Sequence, residues 1–330
     1  MIKHLCFFST VFLSILQSHT QISILDGDSK LPVSYASISF GNGNGIVADD
    51  EGIFVFTKKL YPDIDSLYIS ALGYKDLSIS TKQLQPQLFL YPQADELDEV
   101  VIGVKIDKTE GKKYKTESLK PYLDDDYYKC WLPTIESEIA VYFPNEDDRL
   151  KRIAKVKFPI ALESKEWKNR KKANKEKKKF STLFKVNIYE NLYGKPGRNL
   201  NTETIVFRAT EQDGDYHELD IEEQNILIPE EGVFISLQVI GYTNKNGKLL
   251  PNKKYKEIKG PQGTVKIPTN FRPLLPFTNQ ISENRTFVKR VFINGNNWQM
   301  FKKGNGFQSS LLKSGLNNYG IGIDLHVFKD

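Results

Sequence analysis

Histidine is the first place to look for acid–base or metal chemistry, and this chain has four: His4, His19, His217 and His326. A zinc hydrolase of the His-x-x-Glu kind needs that pair, a distant third ligand and a general-base Glu. His217 runs into Glu218-Leu219-Asp220, which puts its carboxylates at the wrong spacing. His326 stands alone in the last alternating stretch, on the face opposite Ile323 and Leu325. Cys130 is the one cysteine outside the amino-terminal leader, so it can form no internal disulfide. It reads as a small hydrophobe beside Trp131. No Gly-x-Ser-x-Gly elbow occurs and no His neighbours Cys130 in sequence, so a serine or cysteine nucleophile has no support. Asp49-Asp50-Glu51 lacks the spaced oxygen ligands of a calcium loop. The sequence therefore predicts no metal, no cofactor and no enzyme. A glycan-active enzyme with an unrecognised carboxylate pair stays open as an alternative, because such pairs assemble from distant positions.

Charge supplies the other candidate. The net charge is +5, yet Lys165–Lys179 holds nine bases against two acids, an excess of +7 that leaves the remainder at −2. A nucleic-acid site would interleave aromatics with these bases, and only Trp167 and Phe180 flank the run. The run predicts a solvated loop between strands, with attraction to an anionic surface as its functional reading. Lys171, Lys172, Lys177, Lys178 and Lys179 are the candidate contacts, and reversing them to Glu is expected to leave folding intact.

The elements that must carry these groups are short and extended. Lys3 followed by the apolar run Leu5–Leu16 and the polar Gln17-Ser18-His19-Thr20 predicts a secretory signal over residues 1–20. That run is too short for a stop-transfer helix, so no transmembrane span is expected in the mature chain. Ile22–Leu25, Tyr35–Phe40, Ile53–Phe56, Leu67–Ser70, Leu77–Ile79 and Leu88–Leu90 alternate or run apolar, separated by turn clusters such as Asp26-Gly27-Asp28-Ser29. Such spacing without a helical period predicts a β-sandwich. Gly52 closes an acidic turn that Asp49 opens, Phe54 then points inward, and Gly73 lets the chain bend before Tyr74 covers a core edge.

These same residues carry a resemblance. Leu31-Pro32-Val33 with Ala36-Ser37-Ile38, then Asp49-x-x-Gly52-x-Phe54, then Ser70-x-x-Gly73-Tyr74, resemble in order the carboxypeptidase-like regulatory domain. Ala48 departs from the Thr usual before the Asp. The resemblance covers residues 22–91 and implies a transthyretin-like or Ig-like sandwich of seven strands. It is an accessory domain of those enzymes, not their catalytic domain. Leu97–Ile102 resembles the acidic-then-valine segment that trails this domain, also in TonB-dependent outer-membrane receptors. Only 228 residues follow Ile102. A barrel of about twenty-two strands of about ten residues cannot be built from them.

Residues 103–130 are rich in Lys and acids and predict a charged linker. Residues 131–330 alternate again: Phe184, Val186 and Ile188 against Lys185, Asn187 and Tyr189; Val233, Ile235, Leu237 and Val239 against Phe234, Ser236 and Gln238; then Val291–Ile293 and Ile321–Val327. Lys195-Pro196-Gly197 suits a type II turn. The expected fold is all-β, with a larger jelly-roll-like sandwich in this half. Arg152–Val239 resembles a β-domain without assigned activity that follows the regulatory module in some exported bacterial proteins.

The expected function is a non-catalytic binding module of the cell envelope, secreted to the periplasm or outer-membrane surface. Its expected partners are a glycan, lipopolysaccharide or an outer-membrane protein, and not nucleic acid. An accessory subunit of an outer-membrane transport or secretion assembly is the alternative. Mass spectrometry of the native protein is expected to find a mature amino terminus within a few residues of Gln21. An intact Met1 peptide in the envelope fraction would count against the leader.

Overall fold

The computed structural model describes residues 21–41, 43–93, 111–124, 126–147, 149–164, 176–251, 255–260, 263–293 and 297–329. The leader, Leu97–Ile102 and Lys165–Lys175 lie outside these residues. The architecture is all-β, with one short α-helix among the described residues.

Seven short strands build the first module: β1 (Gln21–Asp26), β2 (Ser37–Ser39), β3 (Gly45–Val47), β4 (Ile53–Val55), β5 (Ser66–Ser70), β6 (Leu77–Ser80) and β7 (Gln87–Leu90). They form two sheets, β4-β1-β7 and β3-β2-β5-β6. Strand β1 is antiparallel to β4 and parallel to β7. Alternation sends Ile22, Ile24, Ile38, Leu67, Ile69 and Leu90 into the space between the sheets. Fully burying an aliphatic side chain of that size contributes about 1.5–3 kcal/mol. Phe40, Phe56 and Tyr61 close one end, with ring centroids 4.8 and 5.5 Å apart about Tyr61.

The sequence motif is the corner of this module. Asp49 is buried, and its Oδ1 accepts from the backbone N–H of Ile53 at 2.7 Å and of Glu51 at 3.1 Å. Its carboxylate is therefore a turn cap. Gly52 has φ +69°, and a Cβ there would stand 2.6 Å from the Ile24 carbonyl oxygen. Phe54 is buried in the core. Gly73 has φ +81° with open space around it. Tyr74 donates its hydroxyl to Asp26 Oδ2 at 2.8 Å. Asp26 also accepts from the N–H of Ser29 and Asp28, and these bonds with Tyr74 hold its carboxyl down at about 2.

The second module begins earlier than the sequence suggests. Tyr114–Leu119, expected within a charged linker, is β8, the edge strand of a sheet. Its backbone pairs with the last strand, so its charged side chains are those of a solvated edge and not of a spacer. Then follow β9 (Cys130–Trp131), β10 (Ser137–Phe143), β11 (Lys151–Pro159), β12 (Ser181–Leu192), β13 (Lys195–Asn199), β14 (Ile205–Thr210) and β15 (Tyr216–Asp220). The remainder is β16 (Val233–Tyr242), β17 (Tyr255–Gly260), β18 (Gly263–Pro268), β19 (Leu275–Thr278), β20 (Thr286–Arg290), β21 (Gln299–Met300), α1 (Ser310–Lys313), β22 (Asn318–Tyr319) and β23 (Gly322–Phe328).

A seven-stranded sheet runs β13-β12-β16-β10-β20-β21, with β14 also on β12. It faces the four-stranded sheet β15-β11-β23-β8 across a shared apolar core. Phe207 stacks between Phe158 of one sheet and Phe184, at 5.2 and 5.4 Å. The β12–β13 turn falls at Tyr193-Gly194, not at Lys195-Pro196-Gly197. Both Tyr193 and Gly194 have positive φ, as the tight hairpin turn that follows strand twist requires. Val291-Phe292-Ile293 is a turn and not a strand. That turn meets the first module: Ser39 Oγ donates to the Phe292 carbonyl at 2.8 Å, and Gly45 leaves room for the Phe292 ring. Arg290 reaches the Gly43 carbonyl at 3.4 Å, and Val47 joins the second module's core.

The two motif glycines separate conformational strain from steric contact. Gly52→Ala meets both and is expected to cost about 2–4 kcal/mol, while Gly73→Ala meets only the first and costs about 1–2 kcal/mol. Urea denaturation midpoints of the two variants check this order.

Candidate binding cleft between the two sandwiches

Pairing register lays one polar row across the outer face of the seven-stranded sheet. Lys185 on β12 opposes Gln238 on β16, Gln238 opposes Glu138 on β10, and Glu138 opposes Lys289 on β20. The next row holds Asn187 beside Ser236. These side chains point away from the core because each strand alternates, with Val186, Leu237 and Ile139 on the inner face.

Glu138 is 1% exposed and fully partnered. Its Oε1 accepts from Ser236 Oγ at 2.6 Å, Asn187 Nδ2 at 2.8 Å and the Tyr189 hydroxyl at 2.9 Å. Lys289 Nζ lies 3.0 Å from Oε2 and 4.6 Å from the centre of the Trp298 ring. Burial alone pushes this carboxyl up. The Lys289 charge and the hydrogen bonds outweigh it and hold the group below the usual carboxylate range. The Tyr189 hydroxyl is driven well above its ordinary value, by burial first and by Glu138 next.

Lys185 has no such partner. It stands two strands from Glu138, about 10 Å at ordinary strand spacing, with Gln238 between them. Among the described residues its ammonium makes no hydrogen bond or ion pair. Burial pushes its pKa down, the Glu138 charge pulls it up and Lys289 opposes that. Lys185 is half-buried and lines an open cleft of about 390 Å³ whose other wall the first module forms with Val33, Ser34, Tyr35, Leu72 and Tyr74. Glu203 and Thr204 stand exposed on the second module's side of the cleft. Tyr35 adopts φ +55°, rare for an aromatic residue, and packs against the second module's core. A smaller cavity of about 160 Å³ lies between Asp49, Phe54 and Tyr61 of the first module and Lys248 and Leu249 of the second. Burial there raises the Asp49 carboxyl despite its backbone hydrogen bonds and the Lys248 charge.

The groups singled out from sequence are dispersed. Lys171 and Lys172 lie outside the described residues. Lys177 forms a β-bridge with Ser164, and Lys179 is exposed. Lys178 is not a free loop cation: its ammonium lies 2.7 Å from Glu163, whose side chain is 3% exposed and also takes Arg272 at 2.5 Å. Lys178→Glu would place a second carboxylate against a buried one, which corrects the expectation that charge reversal spares folding. His217 bonds Asp213 at 2.6 Å and stacks on Phe207 at 4.2 Å. His326 stacks on Tyr114 at 3.8 Å and meets Arg152 at 3.2 Å. Cys130 donates to the Asp126 carbonyl at 3.3 Å. Among the described residues no three His, Cys, Asp or Glu converge as metal ligands. No helix among them is long and apolar enough to cross a membrane. Lys185 was visible as an outward residue of an alternating strand. Nothing local marked it as the lysine that the first module would cover.

No family model and no curated protein matches the chain. Two solved structures show a likeness: the clostridial cysteine protease Cwp84 after propeptide cleavage, and the cysteine protease and lectin-like domains of Cwp84, a surface layer associated protein of Clostridium difficile. Identity is 10% in both, the TM-scores are 0.33 and 0.32, and 86% of this chain is covered. The chain spans about half the length of those structures, 51% and 46%. The protease among them corrects the expectation that this chain is no enzyme, and that expectation is dropped. A likeness at this level transfers no activity to this chain.

Removing the partner of Glu138 tests the row. Lys289→Met is expected to destabilise by about 3–5 kcal/mol at pH 7, the loss found when a buried ion pair is broken on one side. With Lys289 gone, burial raises the folded-state pKa of Glu138, so the variant recovers as falling pH protonates it. Wild-type Glu138 has the opposite sign: its contribution is present above its unfolded pKa and is lost as pH falls through the lowered folded value. Denaturation at pH 7 and pH 5 is expected to show the gap narrowing.

Proposed function

We propose that the chain is an exported binding module of the bacterial cell envelope, that its first sandwich is a carboxypeptidase-like regulatory domain, and that it takes its ligand in the cleft floored by Lys185. The leader pattern supports export, and the cap, turn and hydroxyl roles of Asp49, Gly52 and Tyr74 support the domain assignment. The single observation that carries the reading is a half-buried lysine, without an acceptor among the described residues, on the wall of a cleft between two docked sandwiches. At about 390 Å³ the cleft has the size of a small-molecule site. That favours a glycan unit or a lipopolysaccharide sugar over a protein partner. The anionic-surface role of Lys171, Lys172, Lys177 and Lys179 is the lesser proposal, because Lys178 of the same run is tied to Glu163.

Thr204 is exposed at the cleft, so Thr204→Trp fills it without touching the core. The mature protein is probed against an array of envelope polysaccharides and lipopolysaccharides. Wild type is expected to retain at least one of them and the variant to lose about ten-fold or more. Equal retention by both proteins would remove the cleft as the binding site.

A further inference from the structure

We infer that the ligand of this cleft carries a carboxylate on a sugar ring and that Lys185 is its anchoring cation, an inference that rests on the cleft being the ligand site. The charge count on the sheet face carries it. The row Lys185, Gln238, Glu138, Lys289 holds two cations and one anion. Lys289 takes the anion at 3.0 Å, and Gln238 stands between Glu138 and Lys185. Lys185 is half-buried and has no acceptor among the described residues, so its ammonium is free to take an anion. Here the direction left open is the cleft.

The class of anion follows from what else lines the cleft. Lys185 is the only cationic side chain there among the described residues, and Glu203 adds a negative charge. Glu203 opposes any anion there, but it repels a dianionic phosphate about twice as strongly as a single carboxylate, and one ammonium neutralises only the carboxylate. Tyr35 and Tyr74 contribute aromatic surface for the C–H faces of a sugar ring, and the Thr204 hydroxyl stands beside them. A uronic acid unit combines these properties.

Calorimetric titration of the mature chain at low salt compares trigalacturonate, its neutral methyl ester and inorganic phosphate. Wild type is expected to bind the acid at least ten-fold more tightly than the ester and to ignore phosphate. Lys185→Met keeps the side-chain volume and removes the charge. It is expected to abolish that preference while its Tm equals or exceeds that of wild type. A Tm that falls in Lys185→Met would show a structural lysine and overturn the inference, as would a preference that survives the substitution. Failure of wild type to bind the acid, or phosphate competing as well as the acid, would overturn the assignment of a carboxylate sugar. Ligand loss in Thr204→Trp with unchanged binding in Lys185→Met would leave the cleft reading standing and sink only the role of Lys185.

Discussion

Glu138 is the constraint on which the second module's outer face depends. A carboxylate that is 1% exposed on a sheet surface is cut off from bulk solvent and must be satisfied by neighbouring strands. Ser236 comes from one adjacent strand, Lys289 from the other, and Asn187 and Tyr189 from the strand beyond. Four strands are thereby held in one register, because a slip by one residue would swing every partner to the core face. Trp298 lies over Lys289 and against Tyr189, so the ion pair is roofed by an aromatic side chain. The same ring explains why Tyr189 offers no open platform to a ligand.

Satisfying one charge isolates another. With Lys289 committed, Lys185 is left with Gln238 at its side and the first module above it. The docking that covers it is specific: Ser39 bonds the Phe292 carbonyl, Gly45 leaves space for the Phe292 ring, and Val47 enters the neighbouring core. A bulkier residue at Gly45 would push the modules apart. The cleft is therefore a property of the pair of sandwiches, and neither builds it alone.

Charged groups elsewhere are paired in ways that make them structural. Glu163 ties Lys178 and Arg272, joining the end of the lysine-rich run to a distant segment. Lys157 and Asp324 meet at 2.7 Å between adjacent strands. His217 and His326 are held by stacking on Phe207 and Tyr114. Against this background Lys185 is set apart by its place on the cleft wall between the two sandwiches.

The sequence by itself determined what depends on short range. Alternation marked the strands and the outward set Lys185, Asn187 and Tyr189. The turn residues Asp49, Gly52 and Gly73 were legible because a cap and a positive φ are local demands. It misplaced what depends on distant partners. Charged Tyr114–Leu119 read as linker because an edge strand has the composition of a spacer until its partner is known. Phe292 read as strand because an apolar triplet does not say whether its side chains face a sheet or a neighbouring module. Only the tertiary structure decided that Gln238 stands between Lys185 and Glu138, that Lys289 claims the carboxylate, and that the first sandwich covers the lysine left over. The reason is physical: side-chain period is a property of one strand, whereas strand order and module docking are set by contacts between residues fifty to two hundred and fifty positions apart.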